Sequence, residues 1–333
     1  MTRVAVVGGG AWGTVLADLL TRKGEAVTLW AREPEVVEAV NRDHLNPLFL
    51  PDAPLAPAVR ATGDLAAAVR DAEVVVSAAP SHAVREVMTE AARAVTGKPL
   101  IVSVSKGLEP DRLVTLSCVL DQVFGPATPL AVLSGPSFAR EVYQRQPTAV
   151  VVAAADEAVA RRVQQVFSCA HFRVYTHTDV AGVELGGALK NVIALAAGIL
   201  EGLGLGHNPR AALITRGLAE ITRLGVALGA DPLTFAGLAG MGDLILTATG
   251  ALSRNRGLGV ELGQGKTLEQ AQAGKQTVAE GVPTARAAVA LADRHDVELP
   301  ITREVAAILF EGKAPRDAIA ALMERDLKAE QWR

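Results

Sequence analysis

The sequence predicts an α/β protein, with a doubly wound, mostly parallel sheet in its N-terminal domain followed by an all-helical C-terminal domain. Runs such as Val4–Val7 are apolar throughout rather than alternating, which is typical of strands covered on both faces. Helix-compatible segments separate these runs. Strand signals stop near Val180, and 333 residues are enough for two domains. We therefore expect domains at residues 1–180 and 181–333.

The strands are predicted from short apolar runs at Val4–Val7, Ala26–Trp30, Val74–Ala78, Leu100–Val104, Leu130–Leu133, Ala149–Ala153 and Phe172–Tyr175. Helices are predicted between them, among them Trp12–Lys23, Ser81–Val95 and Glu157–Phe167. This alternation of strand and helix is the pattern of a parallel sheet with helices on both faces.

Beyond residue 180 the chain is predicted to be helical, with glycines between the helices. The predicted helices are Val180–Glu201, Pro209–Leu228, Leu233–Leu238, Thr267–Ala273, Thr284–His295 and Thr302–Phe310, with a last helix after Ala314. The bounds of such predictions are uncertain by a few residues.

Charge and composition exclude several classes of protein. The formal net charge of -3, with both signs interspersed, argues against nucleic-acid binding, which needs a basic face. No apolar run approaches the ~20 residues of a membrane span, and the N-terminal apolar stretch is too short for a secretion signal. The two cysteines, Cys118 and Cys169, are far apart, so we expect no disulfide and a cytoplasmic location. The histidines have no metal-ligand spacing, and no metal is expected.

A glycine-rich loop follows the first strand and opens a helix. Residues Gly8–Gly13, with the sequence GGGAWG, fit G-x-G-x-x-G with glycines at 8, 10 and 13. These glycines allow a tight turn, close approach of the backbone to a pyrophosphate, and close packing of helix on strand, while free amides bind the anion. The loop predicts a Rossmann-type dinucleotide-binding domain. A glycine-rich turn without a ligand is the alternative.

The residue after the second strand bears on the choice of cofactor. An NAD-selective fold normally has Asp or Glu there, to bind the ribose 2′-hydroxyl, whereas this chain has Arg32, which can pair with a 2′-phosphate. We therefore predict NADPH as the preferred cofactor and NADH as the second. Glu33 could bind the hydroxyl if the register is shifted by one residue. A solvated surface charge is the alternative for Arg32.

Two further segments follow predicted strands, where ligands of open α/β sheets bind. Lys106 follows Leu100–Val104 and is well placed to meet an anionic substrate, although a surface lysine is an equal alternative. Ser137, in Gly135–Ala139, follows Leu130–Leu133 and could bind a ligand, cap a helix, or do both.

A lysine in the first long C-terminal helix is a candidate acid. Gly186 and Gly187 each cost about 1 kcal/mol relative to alanine inside a helix, which suggests that something approaches the backbone closely. Lys190 lies about one turn further on. Hydride transfer to a ketone leaves an alkoxide, and a lysine whose pKa is lowered by burial or by a neighbouring cation, such as Lys106, can protonate it. A buried packing lysine is the alternative.

The last cluster combines Gly240–Asp243 with Ser253, Arg254 and Asn255. Asp243 is expected in a glycine-lined turn, where its carboxylate could accept bonds from substrate hydroxyls. A guanidinium, a hydroxyl and an amide at a helix start make a suitable site for a phosphate. A polar loop with a capped helix is the alternative.

Taken in order, these segments resemble the bacterial NAD(P)-dependent glycerol-3-phosphate dehydrogenases. The resemblance covers essentially the whole chain, and the ordered set is more specific than any one motif. Its signature stretches are Gly8–Thr14, Ser105–Glu109, Gly135–Glu141, Gly182–Asn191, Ala211–Gly217, Gly240–Asp243, Ser253–Gly257 and Val278–Pro283.

The resemblance implies reversible, NAD(P)H-dependent reduction of dihydroxyacetone phosphate to sn-glycerol 3-phosphate, which supplies glycerophospholipid synthesis, by a homodimer formed through the helical domain. It implies Lys190 as the proton donor. The implied substrate-binding residues are Lys106, Gly135, Ser137, Lys190, Asp243, Ser253, Arg254 and Asn255. The cofactor-binding residues, including the glycines of the loop, are Gly8, Gly10, Ala11, Trp12, Gly13, Arg32, Lys106, Ala139, Arg254, Val278 and Glu280. Without the resemblance, Glu280 would be taken for a carboxylate on a surface loop, and His207 has no assigned role.

Two other functions remain open. A β-hydroxyacid dehydrogenase has a similar two-domain plan, but its lysine is usually followed by an asparagine one helical turn later. Here Asn191 adjoins Lys190 and Ala194 occupies that place. A non-catalytic, NADPH-sensing regulator would need the glycine loop and have no use for Lys190. Turnover of ketones distinguishes an enzyme from such a sensor.

Overall fold

The computed structural model describes residues 1–274, 279–327 and 329–330. Its strands include every predicted run, together with three short additions, β3, β6 and β7. The strands are Arg3–Val7 (β1), Ala26–Trp30 (β2), Arg60–Thr62 (β3), Val74–Ser77 (β4), Leu100–Ser103 (β5), Leu108–Glu109 (β6), Val114–Thr115 (β7), Leu130–Ser134 (β8), Thr148–Ala153 (β9) and Phe172–His177 (β10).

Eight of these strands form one sheet in the order β10-β9-β8-β5-β4-β1-β2-β3. Neighbours from β3 to β8 are parallel, β8 and β9 are antiparallel, and β9 and β10 are parallel. The run from β3 to β8 has the strand order of a dinucleotide-binding sheet, whose order reverses between β1 and β4. The predicted doubly wound, mostly parallel sheet is confirmed.

The helices are Ala11–Lys23 (α1), Pro34–Asp43 (α2), Leu65–Val69 (α3), Val84–Ala94 (α4), Leu116–Phe124 (α5), Ala139–Tyr143 (α6), Glu157–Phe167 (α7), Val180–Gly202 (α8), His207–Ala227 (α9), Asp243–Thr249 (α10), Arg254–Gly263 (α11), Leu268–Gln272 (α12), Gly281–Arg294 (α13), Pro300–Phe310 (α14) and Pro315–Met323 (α15). One face of the sheet packs against α1, α2 and α7, and the other packs against α3, α4 and α5. This arrangement explains why the strands are apolar on both faces.

The helical part is built around α8, which packs against α9, α10, α11 and α13. By length and apolar composition α8 could cross a membrane, so the expectation that no run approaches a span was wrong for this segment. Its most apolar window is entirely buried inside the protein, because other helices and the sheet surround it. The helix is therefore the core of the C-terminal part.

The prediction of an α-helix at Leu233–Leu238 was wrong. Pro232–Ala236 forms a 3-10 turn begun by the Asp231 side chain, and Leu238–Gly242 forms a π-helical turn that leads directly into α10. Glycines at both ends of the second turn permit this departure from α-helical geometry. The division into domains 1–180 and 181–333 stays our proposal. The last strand of the sheet, β10, ends at His177, and α8 begins at Val180.

Candidate active site

The glycines of the loop after β1 have three different environments. A Cβ atom on Gly8, whose φ is +134°, would lie 2.6 Å from the Ala78 carbonyl oxygen, and one on Gly13 would lie 2.0 Å from the Gly8 carbonyl oxygen. Around a Cβ atom on Gly10, no described atom lies within 4 Å. The outer glycines thus permit the turn and the packing, while the open side of Gly10 leaves room for a pyrophosphate beside the α1 amides.

The loop lies where β1 and β4 neighbour each other, which is the point of reversal in the sheet order. Ala11 begins α1, and the Trp12 ring packs in a tilted contact on Phe172, with ring centroids 6.4 Å apart. Ala139 begins α6, which packs against α1. The structure therefore places Ala11 and Trp12 at the start of α1, and Ala139 in a helix that packs against α1.

Arg32 and Glu33 follow β2 at the same edge of the sheet. The Arg32 side chain is 83% exposed, and its guanidinium lies 3.2 Å from a Glu33 carboxylate oxygen. Glu33 is the residue before α2 and its side chain is mostly covered. The guanidinium is therefore free to turn towards a ligand, whereas the carboxylate is held nearer the protein.

Lys190 is buried at the junction of the sheet and the helices, with only 5% of its surface exposed. Its ammonium lies 2.5 Å from Asp243 Oδ1 and 2.6 Å from Thr247 Oγ1, both on α10. Asp243 is 1% exposed. The sequence reasoning missed Thr247, although it stands four residues after Asp243 and so lies on the same helical face.

Lys106 approaches the same carboxylate from the sheet side. Its ammonium lies 2.6 Å from Asp243 Oδ2 and donates to the Gly135 carbonyl oxygen at 3.0 Å. Burial lowers the pKa of Lys190 to about 7; the Asp243 carboxylate opposes this and the Lys106 charge adds to it. The predicted pairing of the two lysines is thus present, and it gives a buried amine that can hold or release a proton near neutral pH.

The paired glycines of α8 explain how the lysine comes so close to the sheet. A Cβ atom on Gly187 would lie 2.5 Å from Ser134 Oγ, and one on Gly186 would lie 2.7 Å from the Ala239 carbonyl oxygen. Strand β8 and the π-helical turn therefore press directly on the α8 backbone. The close approach predicted from these glycines is confirmed.

Gly135 and Ser137 lie in the turn after β8. Gly135 has a φ of +131°, which favours glycine, and its carbonyl oxygen accepts from both Lys106 and the Ser137 hydroxyl, at 3.0 and 2.9 Å. Ser137 does not cap a helix, because the residue before α6 is Phe138. Both residues thus orient the Lys106 ammonium, with the serine acting through the glycine carbonyl.

The start of α11 brings together the three residues that the sequence analysis selected for an anion, Ser253, Arg254 and Asn255. Ser253 caps α11 by accepting from the Arg256 amide, and Arg254 is open to solvent beside it. The Asn255 side chain is buried: it donates to Asn191 Oδ1 and accepts from the Gly281 amide, each at 2.9 Å. One Nδ2–H of Asn255 and its backbone N–H in the first helical turn remain as donors.

Two further expectations need correction. Asp243 is not in a turn, because it is the first residue of α10 and follows the π-helical turn. Glu280 is not on a surface loop: both its carboxylate oxygens accept hydrogen bonds from Ser81, one from the backbone N–H at 3.1 Å and one from the hydroxyl. Val278 lies outside the described residues.

Comparison with known proteins agrees with this geometry. Residues 3–160 match the N-terminal part of NAD-dependent glycerol-3-phosphate dehydrogenase, and residues 179–320 match its C-terminal part. The chain belongs to this family. It is 55% identical over 332 residues to glycerol-3-phosphate dehydrogenase [NAD(P)+] of Geobacter sulfurreducens, covering 99% of both chains. The corresponding protein of Citrifermentans bemidjiense is 54% identical, with 98% of each chain covered.

Solved structures of the family have the same fold. A glycerol-3-phosphate dehydrogenase structure from Coxiella burnetii matches with a TM-score of 0.94 and 39% identity, covering 97% of this chain and 99% of that one. A Saccharomyces cerevisiae member matches with a TM-score of 0.81 and 26% identity, covering 97% and 99%. The chain is therefore an oxidoreductase that uses NAD(P), with a small-molecule substrate.

Proposed function

We propose that this chain reduces dihydroxyacetone phosphate to sn-glycerol 3-phosphate with NAD(P)H, reversibly, and that Lys190 donates the proton. The observation that carries the proposal is the buried Lys190 ammonium, which shares the Asp243 carboxylate with Lys106 at the carboxyl edge of the sheet. The family to which the chain belongs supports the same reaction.

The protein's own groups supply the proton chemistry. A nicotinamide cofactor, when bound, supplies the hydride for the ketone carbon. The ketone oxygen then gains negative charge, and the Lys190 ammonium gives it a proton; in the reverse direction the neutral amine takes that proton back. Asp243 holds the amine in place, while burial and then the charge of Lys106 lower the pKa of Lys190 and so make it a better acid.

Cofactor binding is assigned to the edge formed by β1, β4 and β5. Gly8, Gly10 and Gly13 shape the turn, and the α1 amides face the pyrophosphate. Ala11, Trp12, Ala139, Arg254, Glu280 and Lys106 complete this set, and Val278 is proposed from the resemblance alone. Arg32 is proposed to pair with a 2′-phosphate, which favours NADPH over NADH.

The substrate phosphate is assigned to the start of α11. Arg254 supplies a guanidinium, Ser253 a hydroxyl hydrogen that its capping bond leaves free, and Asn255 a backbone N–H. Helix α11 has ten residues, so its N-terminus also favours an anion electrostatically. Gly135 and Ser137 contribute by holding Lys106, and Asp243 by holding both lysines.

The wider setting follows from the same proposal. We infer a cytoplasmic enzyme that supplies glycerophospholipid synthesis and forms a homodimer through its helical domain. No observation favours a β-hydroxyacid dehydrogenase, and the burial of Lys190 against Asp243 has no use in a sensor. The only relation to a ketopantoate reductase structure that we draw is one of fold, since its identity to this chain is 17%.

The test measures the oxidation of NADPH and of NADH by the loss of their absorbance. The substrates are dihydroxyacetone phosphate and a panel of ketones that carry carboxylates. We expect turnover with dihydroxyacetone phosphate, and a higher kcat/KM for NADPH than for NADH. Turnover restricted to carboxylate ketones, or none, would contradict the reaction. A preference for NADH would contradict the role of Arg32 and leave the reaction standing.

A further inference from the structure

Ser81, the partner of Glu280, joins the sheet to the helical part of the chain. Ser81 lies after β4, at the start of the turn that leads into α4, and it is 3% exposed. Its backbone N–H and its hydroxyl both donate to the carboxylate of Glu280, which immediately precedes α13. The pair thus connects the sheet to the helices across 199 residues of sequence.

The same pair presses on the segment that carries Lys106. Gly107 has a φ of +156°, and a Cβ atom on it would lie 2.6 Å from Ser81 Cβ and 3.4 Å from Glu280 Oε2. Residue 107 is therefore packed against both partners of the bond. Since Lys106 adjoins it, the position of the lysine backbone depends on where the Ser81–Glu280 pair sits.

Hydrogen bonds continue from Glu280 into α8. The amide of the next residue, Gly281, donates to Asn255 Oδ1 at 2.9 Å, and Asn255 Nδ2 donates to Asn191 Oδ1 at 2.9 Å. Asn191 adjoins Lys190 in the chain. The Ser81–Glu280 pair is thus connected to Lys190 on the helical side.

A second path leads back from Lys190 to Ser81 through the sheet. Lys190 and Lys106 bind the two oxygens of Asp243, at 2.5 and 2.6 Å. Lys106 adjoins Gly107, which packs on Ser81. The contacts therefore close into a ring, and the ring crosses between sheet and helices at two links, Ser81–Glu280 and Lys106–Asp243.

We propose that Ser81 is a positioning residue for the reaction: by holding Glu280 against Gly107, its hydroxyl fixes the Lys106 ammonium at Asp243 and so fixes the network that presents Lys190. The proposal rests on the proposed function, because it takes Lys190 as the proton donor. Ser81 itself touches none of the reacting groups and acts through Glu280 and Gly107.

The proposal has a consequence for the pH dependence. Among the described residues, the charged groups that act on Lys190 are Asp243 from α10 and Lys106 from the loop after β5, and its other bonded neighbour, Thr247, is neutral. If Lys106 is less tightly held, its repulsion of the Lys190 ammonium weakens. Lys190 then keeps its proton to higher pH, and reduction persists to higher pH as well.

The chain offers a matched control. Ser117, at the start of α5, donates its N–H at 2.8 Å and its hydroxyl at 2.5 Å to Glu184 of α8. This pair has the same chemistry, is buried, and also joins a helix of the sheet layer to the helical part. It lies outside the ring, so removal of its hydroxyl tests the loss of such a bond without loss of the proposed positioning.

The experiment compares Ser81→Ala and Ser117→Ala with the unaltered chain in the reduction of dihydroxyacetone phosphate by NADPH, over pH 6 to 10, together with the thermal midpoint of each. We expect Ser81→Ala to lower kcat about tenfold, as for loss of a hydrogen bond to a charged group. We also expect it to move the falling limb of the profile of kcat against pH to higher pH. Ser117→Ala should lower the thermal midpoint but leave kcat and the limb unchanged.

Each result decides a separate question. A Ser81→Ala enzyme with the kcat and limb of the unaltered chain overturns the positioning role, as does a limb that moves equally in both variants. An unaltered chain without turnover overturns the proposed function instead. If Ser81→Ala does not fold, Glu280→Gln keeps one acceptor oxygen and is expected to shift the limb in the same direction; an unshifted limb in that variant would overturn the proposal.

Discussion

At the scale of single residues, Lys190 is the side chain whose shifted pKa matters most for the proposed reaction. Burial removes water from its ammonium and lowers its pKa to about 7, although Asp243 lies in contact with it. Lys106 contributes in the same direction as burial because it adds a like charge across the shared carboxylate. The lysine is therefore poised between its two forms near neutral pH.

This pKa predicts opposite pH dependence for the two directions of the reaction. Reduction needs the ammonium, so its kcat should be high below about pH 7 and fall as the pH rises past that value. Oxidation of glycerol 3-phosphate needs the neutral amine, so its kcat should rise over the same range. Measurement of kcat in both directions from pH 5.5 to 9.5 checks this. Two profiles that rise or fall together would contradict the assignment.

Arg254 tests the phosphate site. Because a charge-assisted hydrogen bond contributes about 1.5–3 kcal/mol, Arg254→Ala should raise KM for dihydroxyacetone phosphate by roughly 10- to 100-fold with a smaller change in kcat. Arg256→Ala is the matched control: its guanidinium binds both oxygens of Glu201, at 3.0 and 2.6 Å, away from the helix start. A normal KM in Arg254→Ala would place the phosphate elsewhere.

The candidate residues were predictable to different extents. Lys190 could be selected from the paired glycines before it, Lys106 from its place after a strand, and Arg254 from its place at a helix start. The hydrogen bonds of Asn255 and Glu280 could not, since both depend on partners that are distant in sequence, Asn191 and Ser81. Ser81 carries no local signal at all.

At the scale of elements, the position of Lys190 depends on the packing of α8. Cβ atoms on Gly198 and Gly259 would lie 2.0 and 2.1 Å from carbonyl oxygens of the facing helix, so α8 and α11 cross in backbone contact. This contact brings the start of α11, where we propose that the substrate phosphate binds, to the helix that carries the lysine. These two glycines lie inside their helices and are packing positions, not helix ends.

The predicted helices omitted α10 and α11, and the other elements that sequence reasoning missed are short. Strand β3 has three residues, and the β6–β7 hairpin has two residues in each strand, which is too few for an apolar pattern to be visible. The π-helical turn before α10 depends on backbone hydrogen bonds that a sequence pattern does not reveal. Long apolar strands and helices, by contrast, were predicted to within a few residues.

A carboxyl group of α9 binds the start of α14, and its shifted pKa predicts that the stability of the protein depends on pH. The Glu220 carboxylate of α9 accepts from the Ile301 amide at 2.6 Å and from the amide and hydroxyl of Thr302, each at 3.1 Å. Burial nevertheless raises its pKa to about 7 from 4.5. Its stabilising contribution is therefore complete below about pH 4.5 and is lost as the pH rises through 7.

Substitution of Glu220 by glutamine should remove this dependence. At about 1.4 kcal/mol for each pKa unit, the free energy of unfolding of the unaltered chain should lose about 3 kcal/mol relative to Glu220→Gln between acidic and alkaline pH. Denaturant unfolding at pH 5 and pH 8 measures most of this change. Glu86→Gln, at an exposed position of α4, is the control. A difference between the unaltered chain and Glu220→Gln that is equal at both pH values would contradict the prediction.

At the scale of the whole molecule, the site is completed where the sheet and the helices meet. The sheet contributes the glycine loop and Lys106, and the helices contribute Lys190, Asp243 and the start of α11. The sequence predicted both parts and most of these residues. It could not predict that one carboxylate binds two lysines from different parts, because that contact depends on how the parts are packed together.

The central claim is that Lys190 protonates the ketone oxygen, and Lys190→Ala tests it most directly. The variant is compared with the unaltered chain for kcat with dihydroxyacetone phosphate, and for NADPH affinity as a check that the cofactor site is intact. We predict unchanged NADPH affinity and a kcat lowered by at least the ~10²-fold typical of loss of a general acid. A near-normal kcat would contradict the claim.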